Sequence, residues 1–266
     1  MFVFGSAGSG KTTAAIHFPG AYIVDTERGS DKAKYVELMK DNDALYLSTN
    51  DFDEVYAEVI QLATTKHDRK TLVIDPITTL YNDLLDKAEK KVGSEYGRHY
   101  GEAAKQWKRL YNLLMKLDMN IIITSHAKAV YNDKMQVTGQ TFDAFKKMDY
   151  AFDLVINLDV RGKQRVGTVV KSRLNEFEQG EEFMFCYEEI KKRYTDGVLE
   201  SEAKTVDLAS PEQVDELNRL VNLMKDSDAI KAKMLKKEDC EDFDQLSSVY
   251  AKTCIDHLKK QIEGDK

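Results

Sequence analysis

Eight residues near the start of the chain, Gly5–Thr12 (GSAGSGKT), restrict its possible folds more than any other segment. They fit the pattern G-x-x-x-x-G-K-[ST] in full, after the apolar run Phe2–Phe4 and at the start of a helical stretch, Lys11–His17. Glycines in such a pattern let main-chain N–H groups turn inward around an anion, and the following helix adds partial positive charge. The segment therefore predicts a strand, a phosphate-binding loop and a helix in succession.

The loop motif, known as Walker A, also predicts ligands. Lys11 is expected to reach the β- and γ-phosphates of ATP, and the Thr12 hydroxyl to bind Mg²⁺. The predicted nucleotide-binding residues are Gly5, Ser6, Ala7, Gly8, Ser9, Gly10, Lys11, Thr12 and Thr13. A chance glycine-rich turn is the alternative, and the agreement of the motif with both of its flanks argues against it.

Apolar runs and amphipathic stretches alternate over roughly the first 200 residues. Further strands are predicted at Ala21–Asp25, Ala44–Ser48, Thr71–Asp75, Asn120–Thr124, Leu154–Leu158 and Val166–Lys171. Further helices are predicted at Asp51–Thr64, Thr78–Val92 and Glu102–Leu117. This alternation indicates βαβ units, and so an α/β fold whose mainly parallel, twisted sheet is flanked by helices.

The pattern changes near Thr205. Ser210–Gln213 (SPEQ) predicts a helix start, with Ser as the cap, Pro in the first turn and Gln three residues after the Ser. Helical stretches follow at Ala229–Leu235 and Leu246–Ile262. We therefore predict a nucleotide-binding core at 1–204 and a small helical tail module at 205–266.

Composition narrows the class of protein. The 266 residues are 42% hydrophobic and 32% charged, as in soluble globular proteins, and no apolar run approaches the ~20 residues of a membrane span. The net charge of −7 argues against a surface coated for duplex DNA, although a local basic groove stays possible. The three cysteines form no metal or disulfide pattern. We expect a cytoplasmic protein, and one whose short first strand lacks some N-terminal sequence.

Leu72–Asp75 (LVID) is an apolar run that ends in a carboxylate. This is typical of a Walker B strand, whose aspartate supports the Mg²⁺ shell, so Asp75 is a predicted metal residue beside Thr12. The alternative is an aspartate that caps the next helix. Pro76 follows Asp75, where many P-loop ATPases place a catalytic glutamate, so the base is expected elsewhere.

Five segments occur in a fixed order along the chain: GSAGSGKT, VDTE, LVIDPITTL, IIITSHAK and VVKSR. In this order they resemble the RecA-like ATPases encoded by phages, which include the Sak-type single-strand annealing proteins and the broader phage nucleotide-binding family. The resemblance covers most of Phe2–Leu174. It implies a RecA-like P-loop core that hydrolyses ATP in phage DNA recombination, in the host cytoplasm.

The resemblance implies further roles. Glu27 would be the general base that activates water, and Ser125 or His126 would sense the γ-phosphate. Lys171 and Arg173 would reach the ATP of a neighbouring copy, which requires a ring or filament. The alternatives are a solvated acidic turn, a structural histidine and a basic edge strand. The chain departs from the family in its short start, in His126, and in having no evident N-terminal oligomerisation segment, which puts filament formation in question.

In RecA-type proteins a mobile loop that binds single-stranded DNA occupies the place of Ala127–Tyr150. The segment holds basic and aromatic residues, although an ordinary charged loop is an equal alternative. The residues concerned are Lys128, Tyr131, Lys134, Gly139, Gln140, Lys146 and Lys147. The tail resembles those of phage recombination proteins, so a recombination or single-strand-binding protein is an expected partner. The aromatic residues of Tyr96–Gly101 are expected either to stack on adenine or to form a plain turn between helices.

Two other functions fit a phosphate loop. One is a nucleotide-gated scaffold, in which ATP sets assembly and the tail recruits a partner. The other is a P-loop kinase acting on a small molecule, although no arginine-rich lid is evident after the core.

Overall fold

The computed structural model describes residues 1–27, 33–194 and 197–264. The chain divides into two compact units. The first comprises Met1–Glu58, His67–Tyr100 and Met119–Ala203, and the second comprises Val59–Lys66, Gly101–Asp118 and Lys204–Lys266. The predicted division into a nucleotide-binding core at 1–204 and a helical tail module at 205–266 stays a prediction.

Within the described ranges, nine strands form one sheet, which lies in the first unit. They are β1 Phe2–Gly5, β2 Ala21–Asp25, β3 Leu45–Ser48, β4 Thr71–Asp75, β5 Asn120–Tyr131, β6 Val137–Phe142, β7 Leu154–Arg161, β8 Gln164–Ser172 and β9 Glu182–Met184. The order across the sheet is β3-β2-β4-β5-β1-β7-β8-β9, and β6 pairs with β5. The predicted strands are confirmed.

Helices alternate with the strands along the first part of the chain, and the last three helices belong to the second unit. The helices are α1 Lys11–Ile16, α2 Ala33–Asp41, α3 Phe52–Thr64, α4 Ile77–Val92, α5 Arg98–Lys116, α6 Met148–Ala151, α7 Tyr187–Arg193, α8 Pro211–Asn222, α9 Ser227–Lys237 and α10 Ser248–Gly264. None of the helices in the described ranges is both long and apolar enough to cross a membrane.

The six strands from β3 to β7 in the sheet order are parallel, and β8 and β9 are antiparallel additions at one edge. Each residue of β1 and of β4 is buried, because both faces of the sheet are covered there. The predicted α/β fold with a mainly parallel sheet flanked by helices is confirmed. In a parallel sheet of this kind, ligands bind beyond the carboxyl ends of the strands.

Alternating side chains of the central strands build the core of the first unit. Val3, Ile23 and Val73 belong to one buried cluster that includes the apolar residues of α1. On the other face of β1 the Phe2 ring lies 5.2 Å from Phe142 and 5.8 Å from Phe152. Burying each such side chain contributes about 1.5–3 kcal/mol, so β1 anchors the loop that follows it.

The prediction of an irregular loop at Ala127–Tyr150 is wrong. β5 continues to Tyr131 and pairs in antiparallel register with β6, so that Ala127 faces Phe142 and Lys128 faces Thr141. The turn between the strands is closed by the Asn132 side chain, which accepts from the main-chain N–H of Lys134 at 3.0 Å. Polar and apolar residues alternate too weakly here for the sequence to reveal a hairpin.

The second unit is helical, and α8 begins where the sequence predicts. Ser210 and Gln213 form a capping box, with Pro211 in the first turn. The unit has its own apolar core, which comprises Leu217, Leu220, Val221, Met234, Cys240, Phe243, Leu246, Ala251, Cys254, Ile255 and Leu258. Polar contacts tie residues of α5 to this core: Arg109 pairs with Asp244 and Lys108 lies 2.6 Å from Glu241.

Candidate functional site

Glycines shape the loop between β1 and α1. A Cβ on Gly5 would lie 2.3 Å from the main-chain oxygen of Leu158, so only glycine fits where β1 passes β7. Gly10 has φ 95°, a left-handed conformation that glycine adopts without strain. Between them, the Ser9 N–H donates to the Ser6 oxygen at 3.2 Å. The predicted strand, loop and helix therefore follow one another, with Thr13 in the first turn of α1.

The Lys11 ammonium is held inside this loop. Lys11 is only 9% exposed, and its Nζ donates to the main-chain oxygens of Gly5 at 2.8 Å and Ser6 at 3.1 Å. Burial lowers the pKa of Lys11, while Asp75 and Glu27 act to raise it. Because carbonyl oxygens do not neutralise the ammonium, Lys11 keeps its capacity to bind an anionic phosphate.

Asp75 ends β4 and is bonded to the start of α1. Its Oδ2 accepts a hydrogen bond from the Thr12 hydroxyl at 2.5 Å, and its Oδ1 accepts one from the Thr124 hydroxyl. Burial raises the pKa of Asp75; these hydroxyls and Lys11 oppose the rise, and Asp25 adds to it. Because burial disfavours the charged form of this carboxyl group, a nearby cation would stabilise its ionised form.

Oxygen donors at two strand ends fit the Mg²⁺ that the loop motif implies. Asp25 and Asp75 are register partners at the ends of β2 and β4, and both line the same cavity as Thr12. In the described ranges no three His, Cys, Asp or Glu side chains cluster as a metal site. Mg²⁺ in nucleotide sites needs only one or two carboxylates, because waters and substrate phosphates complete its shell. Thr12 and Asp75 are therefore suited to hold it.

Glu27 is positioned by contacts on both sides. Thr26 fixes the turn after β2, since its hydroxyl donates to the Pro76 oxygen at 2.6 Å. The Glu27 Oε1 then accepts from the Thr79 hydroxyl at 3.2 Å and lies 3.1 Å from the His126 Nε2. The Glu27 side chain is 44% exposed, so that water can reach its carboxylate.

The two candidate sensors lie in different surroundings. His126 is the register partner of Gly5 and lines the cavity. Ser125 is fully buried, and its hydroxyl lies 3.2 Å from the Thr78 hydroxyl and 3.2 Å from the Asp143 main-chain oxygen. Adjacent residues of a strand point to opposite faces, so the geometry favours His126 for the sensing role. That role itself stays a prediction.

Five of the predicted catalytic and metal-binding side chains line one cavity of about 240 Å³: Lys11, Thr12, Glu27, Asp75 and His126. The lining residues are Ala7, Gly8, Lys11, Thr12, Asp25, Glu27, Tyr35, Asp75, Pro76 and His126. These five predicted side chains come from four separate segments of the chain. They meet because the carboxyl ends of β1, β2 and β4 lie beside the part of β5 that contains His126. The cavity has the composition of a site for a phosphate chain and a hard cation.

Sequence reasoning missed three of the residues that line this cavity, namely Asp25, Tyr35 and Pro76. Asp25 had a usable signal, because it ends β2 as Asp75 ends β4, and the carboxyl ends of parallel strands meet at one edge. Tyr35 lies on α2 and belongs to no motif, so only the fold places its ring at the cavity. Thr79, which holds Glu27, also had no signal of its own.

Lys171 and Arg173 lie at the other end of the strands, where the amino ends of the parallel strands meet. Lys171 is the register partner of Val155, near the start of β7, because β8 runs antiparallel to β7. Its Nζ donates at 2.6 and 2.8 Å to main-chain oxygens in and just after α6, and Arg173 lies 3.3 Å from Asp153. Burial, more than the nearby Arg173, lowers the pKa of Lys171. Neither residue belongs to the described lining of the cavity, and their action on a neighbour stays a prediction.

The β5–β6 hairpin is bonded to the cavity wall. The Gln140 side-chain nitrogen lies 3.4 Å from the Ser6 hydroxyl of the loop. Just after β6, the Asp143 N–H donates to the His126 oxygen at 2.9 Å, and the Thr78 hydroxyl donates to the Asp143 oxygen at 2.8 Å. The phosphate loop and α4 therefore contact this hairpin or the residue that follows it.

Tyr96 lies in the turn between α4 and α5, and His99 and Tyr100 lie in the first turn of α5. Tyr96 and Tyr100 are exposed, and neither is among the described residues that line the cavity. Of the two interpretations that the sequence allowed, the plain turn is the one with structural support.

Two solved structures illustrate what the chain is similar to. A crystal structure of the RadB recombinase is 19% identical, with a TM-score of 0.43, over 68% of this chain and 83% of that one. A DnaB-like replicative helicase, described with its interactions with primase, is 10% identical, with a TM-score of 0.42, over 65% of this chain and 53% of that one. No curated protein matches the chain.

A family match covers most of the chain. Residues 1–184 of the 266 match the AAA domain family AAA_24, so the matched region runs from β1 to β9 and includes every residue that lines the cavity. The loop, the Walker B strand and the sheet order agree with this assignment. The chain therefore belongs to the AAA domain family, and its phosphate loop and Walker B strand both lie within the matched region.

Proposed function

We propose that this protein binds ATP with Mg²⁺ and hydrolyses it, with Glu27 as the base. The position of Glu27 carries the proposal. Its carboxylate lies 3.1 Å from His126 in the same cavity as Lys11 and Thr12, the residues expected to hold the phosphates and the metal. A base must lie within hydrogen-bond reach of the attacking water. Glu27 lines the cavity in which that water would attack, and this supports the proposed role.

Exposure distinguishes Glu27 from the other cavity carboxylates. Asp25 is 5% exposed and accepts the Glu27 N–H at 3.1 Å, and Asp75 is 7% exposed and bonded to two hydroxyls. Glu27 is the carboxylate of the three that water can approach freely. Pro76 occupies the position after Asp75, so no carboxylate is available there.

The proposed reaction is an in-line displacement. Water attacks the γ-phosphorus, Glu27 accepts the proton that the water loses, and the bond between the γ-phosphorus and the bridging oxygen breaks. ADP leaves with the electron pair of that bond, so the products are ADP and inorganic phosphate. Lys11 stabilises the charge on the β- and γ-phosphates, and His126 holds Glu27 in place. Mg²⁺, when bound, would supply further positive charge at the phosphates.

We further propose that the β5–β6 hairpin binds single-stranded DNA. Its outer part exposes Tyr131 (56%), Met135 (78%) and Val137 (63%), and it carries Lys128 and Lys134. Aromatic and cationic groups together suit single strands, because bases stack on the rings and phosphates pair with the cations. The contact between Gln140 and Ser6 gives this surface a direct connection to the phosphate loop.

The finer biological assignments rest on the sequence resemblance. They are a role in phage DNA recombination or strand annealing, assembly into a ring or filament, and recruitment of a recombination or single-strand-binding protein by the tail. Assembly is supported by the position of Lys171 and Arg173, which are too far along β8 to serve the cavity of their own chain.

The test is steady-state ATP hydrolysis by the full chain across a range of protein concentrations, with and without a single-stranded oligonucleotide at low salt. The proposal predicts hydrolysis that DNA stimulates and whose specific activity rises with concentration. Tyr131→Ala should reduce the stimulation, while Tyr100→Ala, an exposed tyrosine on a different element, should not. Negligible hydrolysis, with assembly that still responds to ATP, would contradict the proposal and favour the scaffold.

A further inference from the structure

Arg165 lies directly against the phosphate loop. It is near the start of β8 and is the register partner of Val160 near the end of β7. A Cβ on Gly10 would lie 2.0 Å from the Arg165 Nε and 2.6 Å from its Cδ. The Arg165 side chain therefore rests on Gly10, the last glycine of the loop.

The Arg165 side chain has no partner of its own. Its Nε is shielded from solvent and makes no hydrogen bond, and nowhere in the described ranges does the side chain form an ion pair. The seven other arginines in those ranges each contact a carboxylate. They are Arg69, Arg98, Arg109, Arg161, Arg173, Arg193 and Arg219.

A half-buried, unpaired guanidinium is costly, since a shielded polar group without a partner loses its hydration and gains nothing in return. The chain has an excess of acidic residues and supplies a carboxylate to each of the other seven described arginines. At Arg165 the missing partner is therefore expected to be an anion that arrives from outside. Arginine suits phosphate oxygens, to which its planar fork donates two parallel hydrogen bonds.

The position of Arg165 indicates which phosphates it meets. The cavity that contains Glu27, Asp75 and His126 surrounds the expected site of the transferred phosphate, and Arg165 is not among the described residues that line it. Arg165 approaches the loop from β8 at Gly10, next to α1. We therefore expect its guanidinium to lie away from the γ-phosphate, beside the part of the nucleotide that hydrolysis leaves unchanged.

We propose that Arg165 is a second cation of the nucleotide site, supplied by the same chain, which binds the phosphates that ATP and ADP share. This inference rests on the proposed function. A contact that is equal in the substrate and in the transition state changes binding and leaves the chemical step unchanged. Arg165 thus differs from Lys11 and Glu27 in acting on affinity alone.

The experiment compares Arg165→Gln with Arg161→Gln, by calorimetric titration of each full-length protein with Mg·ADP and with Mg·ATP. Arg161 is a matched control, because it lies on the same β7–β8 hairpin and pairs with the exposed Glu182. Loss of a charge-assisted hydrogen bond should raise both dissociation constants of Arg165→Gln about tenfold or more, with kcat unchanged. The control should stay within about twofold of wild type. Arg165→Lys should recover part of the affinity, which a purely structural arginine would not show.

Folding is checked in the same proteins. The melting temperature of nucleotide-free Arg165→Gln should equal or exceed that of wild type, because the substitution removes an unpaired charge, while the added stability from Mg·ADP should shrink. If wild type binds ADP and both Arg165 variants bind it as tightly, the inference is wrong and the proposed function stands. An effect on ATP alone, with a lower kcat, would also overturn it. If wild type binds neither nucleotide, both proposals fail.

Discussion

The carboxyl ends of the parallel strands form one edge of the sheet and their amino ends form the other, and the polar residues at these two edges differ in what they bind. At the carboxyl edge, Lys11, Glu27 and Asp75 line an open cavity, and their hydrogen bonds go mainly to main-chain oxygens and hydroxyl groups. At the amino edge, Lys171 and Arg173 are engaged by main-chain oxygens and Asp153 of their own chain. The first edge is ready for a ligand within one chain, whereas the second would act only on something outside it.

This difference separates binding from stimulated turnover. Nucleotide binding is expected from a single copy, because Lys11 and Thr12 of the loop and Asp75 of the Walker B strand line one cavity. Any catalytic contribution of the β8 cations requires a second copy to present its carboxyl edge to them. The comparison is informative because each edge can be damaged without touching the other.

The largest effect is expected from Lys11→Ala, which removes the cation at the carboxyl edge. Binding of Mg·ATP should be lost in large part, and turnover should fall by about 10³-fold or more, since this group stabilises the transferred phosphate charge. Calorimetry and phosphate release measure the two. Lys40→Ala, an exposed lysine on α2, is the control and should behave as wild type.

Arg173→Ala tests the amino edge. ATP binding should be preserved, while turnover should fall by as much as about 10³-fold if the cation stabilises phosphate charge in a neighbour. Mixing Arg173→Ala with Lys11→Ala should restore activity, because an intact Arg173 of one variant can complete the intact cavity of the other. Phosphate release that stays flat across all mixing ratios would show that the amino edge does not act between copies.

His126→Gln should have a smaller effect. The imidazole lies 3.1 Å from the Glu27 carboxylate, and losing one such hydrogen bond costs about 1–1.5 kcal/mol, or about tenfold in turnover. His67→Gln, which lies away from the cavity lining, is the matched control. A loss as large as that of a missing base would instead give His126 a direct part in the chemistry.

The smallest effect concerns stability. Burial raises the pKa of Asp75 above its unfolded value, so its protonated form favours the fold, and that stability is lost as pH rises through the raised pKa. Asp75→Asn should therefore melt higher than wild type without nucleotide, by a few degrees at about 2–4 °C per kcal/mol, with the gain growing as pH rises from 4 to 7. The exposed Asp86→Asn is the control. A gain that does not vary with pH would contradict this linkage.

The sequence was sufficient to predict those parts of the site that lie at or just after the ends of strands. The loop, Asp75 and Glu27 each come after an apolar run, and the rule that parallel strands share a carboxyl edge brings them together. The six parallel strands follow from the same runs. What failed was the hairpin of β5 and β6, whose exposed faces leave little apolar alternation for a pattern to detect.

Arg165 shows why some site residues have no sequence signal. It lies 155 positions after Gly10, and it meets the loop only because β8 runs antiparallel to β7 and begins at the carboxyl edge. The same reversal carries Lys171 to the far edge. The direction of one strand, which apolar patterns do not reveal, therefore decides which cations serve the chain's own cavity.

The most direct test of the central claim is Glu27→Gln, measured for binding and for turnover in the same preparation. Gln keeps the size and hydrogen bonds of the side chain but cannot accept the proton of water. The account predicts Mg·ATP binding within about twofold of wild type and hydrolysis reduced by at least about 10²-fold, the usual contribution of a general base. Hydrolysis that persists at the wild-type rate in Glu27→Gln would contradict the assignment of Glu27 as the base.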